Sequence, residues 1–319
     1  MQLTLKACAL VLCLFAIAYE VLSQDKNAPA VELLNAARLA DARAGQQGFK
    51  IRGVIKFEQG KAGPAEGTYL LVWNSPTRWH EEFSFSDFHQ VRIGVPGGVW
   101  EEREPFFLSL RIWQVMQALS FYGRFELPNE ESAGKVKRAK KQGLDLRCVE
   151  IKRNSYPLDE VCFREGLAQL VSEHYLPSDR WYEFADYRTI RTKFFPGRIV
   201  VREGKTLAAE FSASEVEEID NVSPKYFAQT PQMEWRPWCA SPDTGGDPLT
   251  PIYSGSAQHK GTSILYAAIS TDGQIHRVHL LELGGVSHDA EVLEGLKRER
   301  WKPSSCKGVP IVVETVFRR

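Results

Sequence analysis

The feature that most constrains this chain is a period-two alternation of apolar and charged residues, repeated over much of its length. It is first clear at Phe49, Ile51, Ile55 and Phe57, which alternate with Lys50, Arg52, Lys56 and Glu58. Such alternation puts one residue set on each face of a half-buried strand. It recurs over Arg78–Phe85, where Trp79, Glu81, Phe83 and Phe85 interleave with His80, Glu82 and Ser84. Thr68–Asn74 reads as a strand apolar on both faces, and Phe88–Ile93 and Val99–Arg103 flank Pro96-Gly97-Gly98 as a hairpin. Further strands are expected at Leu144–Lys152, Leu158–Arg164, Leu167–Ser172, Glu183–Ile190, Lys193–Val201 and Thr206–Ser212. Short, evenly spaced strands separated by turn residues predict an antiparallel meander, curled or barrel-like. A curled sheet has a concave face, which must be filled by helices, by its own side chains or by a ligand.

Helices are few. Val31–Ala44 is spaced for a helix, with Val31, Leu34 and Ala37 on one side, Leu39 beside them, and Gly45 as its stop. Leu110–Phe121 places Leu110, Trp113, Met116 and Leu119 on one face. Gly60–Gly67 and the basic stretch Gly134–Gly143 are expected to be loops, and Glu215–Val222 a short helix. From Trp235 the texture changes to a breaker-rich linker carrying Pro237, Pro242, Gly245, Gly246, Pro248 and Pro251. A compact unit follows: strand Ser263–Ser270, turn Asp272-Gly273, strand Gln274–Leu281, helix His288–Arg300 and strand Val309–Phe317. The expected fold is therefore mainly β. A curved antiparallel half-barrel with covering helices takes residues 24–234, a Pro/Gly-rich linker 235–250, and a small β-β-α-β unit 251–319.

The first 23 residues read as an address. Lys6 precedes an apolar run from Ala7 to Ala18, too short for a bilayer, which needs about 20 residues, and of the right length for a signal-peptide core. Cleavage before Gln24 would export the chain to the periplasm with no transmembrane segment. It would also remove Cys8 and Cys13, leaving Cys148, Cys162, Cys239 and Cys306. An even count in an exported chain predicts disulfides. Cys148 and Cys162 lie seven residues either side of Ser155, so a hairpin turning there brings them face to face. Cys239–Cys306 is left by elimination. No Cys-x-x-Cys is present, so neither a zinc site nor a redox pair is expected.

Catalytic patterns are absent. His80-Glu81-Glu82 lacks the second His of a metalloprotease helix and reads as a salt-bridged surface, and His276 and His279 are expected on opposite faces of a strand. Asp243-Thr244-Gly245 sits in the linker, where turn chemistry explains it. No metal, cofactor or enzymatic activity is expected. The chain balances 40 basic against 40 acidic residues, which argues against a nucleic-acid partner. The main charge cluster is Lys135, Lys137, Arg138, Lys140 and Lys141, either a solvated loop or a contact for anionic headgroups.

Two resemblances follow from ordered sets of residues. Thr271-Asp272-Gly273-Gln274-Ile275, the Leu293–Arg300 helix, Arg300-Trp301-Lys302-Pro303 and the strand after Gly308-Val309-Pro310 together resemble the TonB C-terminal domain. That resemblance implies docking of an outer-membrane or periplasmic protein by strand addition at an exposed edge. The expected edge is the last strand, through Val309, Ile311, Val313, Thr315 and Phe317. Phe49–Glu58, then Gly67-Thr68-Tyr69-Leu70-Leu71-Val72-Trp73, Asn74-Ser75-Pro76-Thr77-Arg78-Trp79 and Val99-Trp100 more faintly resemble the LolA/LolB lipoprotein carriers. In that family a curved, incomplete barrel closed by helices holds acyl chains. The carrier's Arg before the corresponding proline, which latches its lid, is Ser75 here.

Candidate ligand-contacting residues are Phe57, Tyr69, Trp79, Phe83 and Trp100. Burying each aromatic contributes on the order of 1.5–3 kcal/mol whether it meets protein or acyl chain, so a packed core and a lipid pocket read alike. The leading expectation is a non-enzymatic envelope protein that binds a lipid or lipoprotein in the curved sheet and docks a partner through its tail. The alternative is a protein-interaction scaffold whose sheet is filled by side chains. A non-reducing peptide map should show Cys148–Cys162 and Cys239–Cys306; crossed pairs would show that the expected strand register is wrong.

Overall fold

A computed structural model describes residues 28–58, 64–119, 131–141, 143–153, 155–237, 263–283, 285–306 and 308–319. The expected signal segment, Cys239 and Asp243-Thr244-Gly245 lie outside the described residues. No described helix is long and apolar enough to cross a membrane.

The chain opens with helix α1 (Ala28–Ala40), followed by a 3-10 turn at Ala42–Ala44. Ala30, Leu33, Leu34 and Ala37 are buried, whereas Val31 and Leu39 are exposed, so the apolar stripe is rotated from the expected one. Five strands then run as a meander: β1 (Phe49–Glu58), β2 (Pro64–Ser75), β3 (Arg78–Ser84), β4 (His89–Val95) and β5 (Gly98–Glu104). Helix α2 (Leu110–Leu119) comes next, and its core face is Ile112, Val115, Met116 and Leu119. The expected i, i+3 series drifts off the true helical period of 3.6, which is why Trp113 is only partly buried.

The second run comprises β6 (Glu131–Lys141), β7 (Leu144–Arg153), β8 (Tyr156–Arg164), β9 (Leu170–Tyr175), β10 (Arg180–Ala185), the small hairpin β11 (Arg188–Ile190) and β12 (Lys193–Phe195), then β13 (Arg198–Glu203) and β14 (Thr206–Glu218). A short strand, β15 (Glu234–Pro237), pairs with β5 at residues read from sequence as the start of the linker. All except β11 and β12 form one curved, unclosed antiparallel sheet of 13 strands, ordered β15-β5-β4-β3-β2-β1-β14-β13-β10-β9-β8-β7-β6. The first meander runs outward from β1, and the second runs inward from β6 to β14, which pairs with β1 at the centre. At that seam a bulge at Arg52/Gly53 sets Gly53 against Phe211, whose ring leaves no room for a Cβ.

Several expectations fail here. A strand already begins at Pro64, inside the expected Gly60–Gly67 loop, and the strands expected at Glu183–Ile190 and Lys193–Val201 are each broken in two. The basic stretch is strand β6, not a loop, and among the described residues it pairs only with β7. Lysines on an edge strand discourage further pairing, a placement that charge alone makes resemble a loop. Glu215–Val222 is not a helix, because β14 continues to Glu218 with Glu215 and Glu217 bound to Arg52 and Lys50 of β1.

The β7–β8 hairpin pairs Cys148 with Cys162, and they form a disulfide. Arg153 pairs with Tyr156, which alone would set Cys148 against Val161; a bulge between Ile151 and Lys152 skips Leu158 and restores the cysteine register. Cys306 is also disulfide-bonded, and its expected partner Cys239 lies outside the described residues.

The last unit is β-β-α-β, as expected. It comprises β16 (Ile264–Ile269), β17 (Ile275–Glu282), α3 (Val286–Arg298), the two-residue pair β18 (Ser305–Cys306) and β19 (Val309–Pro310), and β20 (Val313–Arg318). Its sheet order is β17-β16-β20. At the β16–β17 turn Gly273 has φ 79°, and the Asp272 carboxylate accepts from the Gln274 N–H at 3.0 Å. One sheet face packs Leu265, Ala267 and Ile269 on Val292, Leu296 and Trp301. The other face meets the large sheet. Tyr266 joins the main core, and Leu281 packs on it.

The join is ionic as well. Arg103 of β5 donates to both carboxylate oxygens of Glu314, at 3.0 and 2.6 Å, and to the Tyr266 hydroxyl at 3.0 Å. Arg236 donates to Glu314 at 2.6 Å, and Glu101 lies 3.5 Å from Arg103. Burial pushes the Glu314 carboxyl up, but the two guanidinium groups outweigh it and hold it at about 2. Arg103→Met should therefore cost about 3–5 kcal/mol in urea unfolding, and Arg103→Met with Glu314→Leu should recover much of it. The depressed carboxyl stabilises the fold above its unfolded value near 4.5. This contribution, about 3 kcal/mol, should fade as pH falls from there towards 2.

Candidate functional site

The sheet's covered face is the candidate site. Cross-strand pairing explains how it is built. One row runs Phe49, Trp73, Trp79, Gly94, Val99; another runs Gly53, Tyr69, Phe83, Gln90, Arg103. Residues paired across antiparallel strands share a face, so alternation on β1 propagates through every register. The Trp79 indole lies where any side chain at Gly94 would be, and the Trp73 indole donates to the Gly45 carbonyl at 3.0 Å.

Four of the five expected ligand residues lie on this face and are packed against protein. Phe57 meets Phe85 at 5.1 Å between ring centroids. Tyr69 meets Phe83 at 5.0 Å and Phe211 edge-on at 5.4 Å. Trp79 has the Arg92 guanidinium 5.3 Å from its ring. Trp100 faces the other way. It belongs to the outer row Val72, His80, Ile93, Trp100, Trp235, because its neighbour Val99 takes the covered side. His80 of that row is bonded to the Tyr226 carbonyl at 2.9 Å.

The covered face is not wholly apolar, a feature sequence reading missed. Glu81, taken with His80 and Glu82 for surface charge, is buried and accepts from the Tyr69 hydroxyl at 3.0 Å and from Arg92 at 2.9 Å. Burial, with the Glu81 charge adding, holds the Tyr69 hydroxyl well above its ordinary pKa, so it stays a donor. Gln90 donates to Glu101 at 2.9 Å, which leads to Arg103 and the tail. The signal was available in the alternation itself, since Glu81 shares its parity with Trp79 and Phe83.

Three pieces cover the face. Helix α1 lies against β6 and the β11–β12 hairpin, α2 lies against β13 and β14, and the tail sheet meets β5. Helix α2 sits on a polar seam: Gln114, fully buried, donates to Glu203 at 2.7 Å, and Arg111 reaches the same carboxylate at 3.0 Å. Arg180, 5.3 Å over the Trp113 ring, lies 3.7 Å from the Glu203 carboxylate. Burial pushes the Glu203 carboxyl up, but Arg111, Gln114 and Arg180 outweigh it and keep it below its usual range. Buried Arg43 is held by Asp41 at 2.7 Å and donates to the Leu119 carbonyl at the end of α2. The loop into α2 stacks Phe107 on His279 of β17 at 3.4 Å, so the tail touches the helix connection directly.

A cavity of about 30 Å³ lies among Ala37, Asp41, Arg43, Phe184, Tyr187 and Phe194, room for about one water molecule. None of the five expected aromatics lines it. Of the expected docking strand, Val313, Thr315 and Phe317 lie on β20, which among the described residues pairs with β16 alone. Val309 lies in the separate two-residue ladder, exposed, and Ile311 is buried beyond it. A group of Cys148, Glu160 and Cys162 has metal-ligand proximity, but the two sulfurs are joined as the disulfide.

No family profile matches the chain, and no curated protein matches it. Solved structures do. A putative outer membrane lipoprotein-sorting protein domain from Vibrio parahaemolyticus is 10% identical with TM-score 0.44, covering 62% of this chain and 95% of that one. A LolA superfamily protein from Nitrosomonas europaea is 11% identical with TM-score 0.41, covering 62% and 96%. A DUF1329 family protein from Desulfovibrio piger is 12% identical with TM-score 0.45, covering 64% and 98%.

Trp79→Ala and Phe83→Ala should each cost about 3–5 kcal/mol in urea unfolding, because both side chains fill the core. A loss below about 1 kcal/mol for either would mean that the packed face is not the resting state.

Proposed function

We propose that this chain is an exported, non-enzymatic binding protein that takes up an acyl-bearing ligand on the covered face of its large sheet when α2 moves away. The observation that carries this reading is the nature of the cover. No single layer closes the face; two short helices and the small tail sheet share it, and α2 is seated on a buried polar seam. The seam's groups hydrate when exposed, so opening exchanges their mutual hydrogen bonds for water and leaves no donor or acceptor unpaired.

The energetics allow exchange. Lifting α2 exposes Ile112, Val115, Met116 and Leu119, worth roughly 6–12 kcal/mol at about 1.5–3 per side chain. An acyl chain returns about 0.8 kcal/mol per buried methylene, so about 14 methylenes return a similar amount. The aromatics Phe57, Tyr69, Trp79 and Phe83 would then form the floor beneath the chain. The tail, through β20, is proposed to dock an envelope protein by strand addition, with Val313, Thr315 and Phe317 in the edge strand.

The test is native mass spectrometry of protein purified gently from the periplasm, with organic extraction of the same sample. Added mass matching a fatty acid, phospholipid or lipoprotein acyl group supports the reading. Gln114→Leu, which leaves the Glu203 carboxylate short of one donor and so loosens the seat of α2, should speed uptake of a fluorescent fatty acid while leaving the fold intact. Bare protein, with no displacement of a fluorescent fatty acid, would leave the scaffold reading in its place.

A further inference from the structure

The strongest surface feature outside the covered face is the free edge of the large sheet. Strand β6 carries Lys135, Lys137, Arg138, Lys140 and Lys141, and among the described residues it is the sheet's last strand. Over residues 132–147 six cations meet one carboxylate, in a chain whose charges balance overall. Charged side chains protect an edge from further pairing; here they are also concentrated at one end of the sheet. Lys141 is engaged, 3.4 Å from Glu183 and 4.8 Å from the Trp181 ring. A flat sheet would hold β6 and β10 about 19 Å apart. The β6–β7 tip therefore bends over the outer face.

The other four cations are exposed. Among the described residues Arg138 has Glu165 alone at 3.7 Å and Lys140 has Asp145 alone at 4.0 Å, both pairs in solvent. Such pairs are worth little. Among the described residues Lys135 and Lys137 have no acidic partner. The β8–β9 turn lies beside the tip, tied to it by the Glu165 N–H donating to the Asp145 carbonyl at 2.9 Å. That turn carries Leu167, 43% exposed, and Arg164, also exposed. Cations on both faces of a rim, with an apolar side chain at its end, suit a plane touched edge-on.

We infer that the β6 rim binds the surface of an anionic lipid bilayer. Lys135, Lys137, Arg138 and Lys140 meet headgroup phosphates, and Leu167 enters the interface. The inference stands apart from any ligand on the covered face. Each cation near an anionic surface contributes about fivefold in affinity, so the four together contribute several hundredfold.

The experiment is co-sedimentation of the full exported protein with vesicles of phosphatidylcholine, or of equal parts phosphatidylcholine and phosphatidylglycerol, at low and high salt. The protein should pellet only with the anionic vesicles and be released by salt, because screening shortens the reach of charge. Lys135→Glu, Lys137→Glu, Arg138→Glu and Lys140→Glu combined should abolish pelleting with an unchanged melting temperature, since all four are exposed. Leu167→Asp alone should weaken it severalfold. Equal pelleting of the folded quadruple variant overturns the inference, as does failure of the native protein to pellet. Soluble polyglutamate that binds while vesicles do not would overturn it in favour of an acidic polypeptide.

Discussion

A 13-stranded antiparallel sheet with one apolar face has to hide that face, and nearly everything else in the molecule follows from how it does so. Here the cover is assembled from parts that are remote in sequence: an N-terminal helix, the helix that carries the chain from the β5 edge towards the β6 edge, and the terminal β-β-α-β unit. Each part is fixed by a polar device at its rim as well as by apolar contact. Arg43 ties α1 to α2, Glu203 seats α2, and the Arg103–Glu314–Arg236 cluster seats the tail. The apolar contacts supply most of the energy, and the polar ones fix where each piece sits.

The sheet was legible in the sequence because alternation is a local signal. Phe49 to Glu58 announces its two faces without any knowledge of the fold, and the cysteine spacing announces the β7–β8 hairpin. What could not be read is set by register between distant segments. Trp100 looks like its aromatic neighbours, but the β4–β5 turn assigns it the parity opposite to Trp79. Glu81 looks like surface charge beside Glu82, and only the partners Tyr69 and Arg92 make its burial tolerable. Strand β6 was obscured because an edge strand is defended with the same residues that make a loop soluble.

The tail shows the same limit at a larger scale. Its internal order is legible from one hairpin turn and one helix. Its seat is not, because Arg103, Tyr266, Glu314 and His279 are unremarkable until the two sheets face each other. A breaker-rich linker suggests independence, yet Tyr266 belongs to the main core, and one face of the tail sheet is occupied by the large unit. Both faces of the tail sheet are therefore occupied, one by its own helix and one by the large unit, and the charges that hold the tail in place lie along β20.

The central seam has a consequence for the making of the protein. Strand β1 receives its second neighbour only from residues 206–218. Until then a strand apolar on one side, with a full row of unpaired backbone groups, lies at the rim of the first meander. Such long-range closure makes folding slow and exposes intermediates to wrong pairings. Synthesis runs from the N-terminus, so the two meanders arrive in turn. The first must wait, with its future centre as an open edge, for the second to zip inward from β6 and complete it.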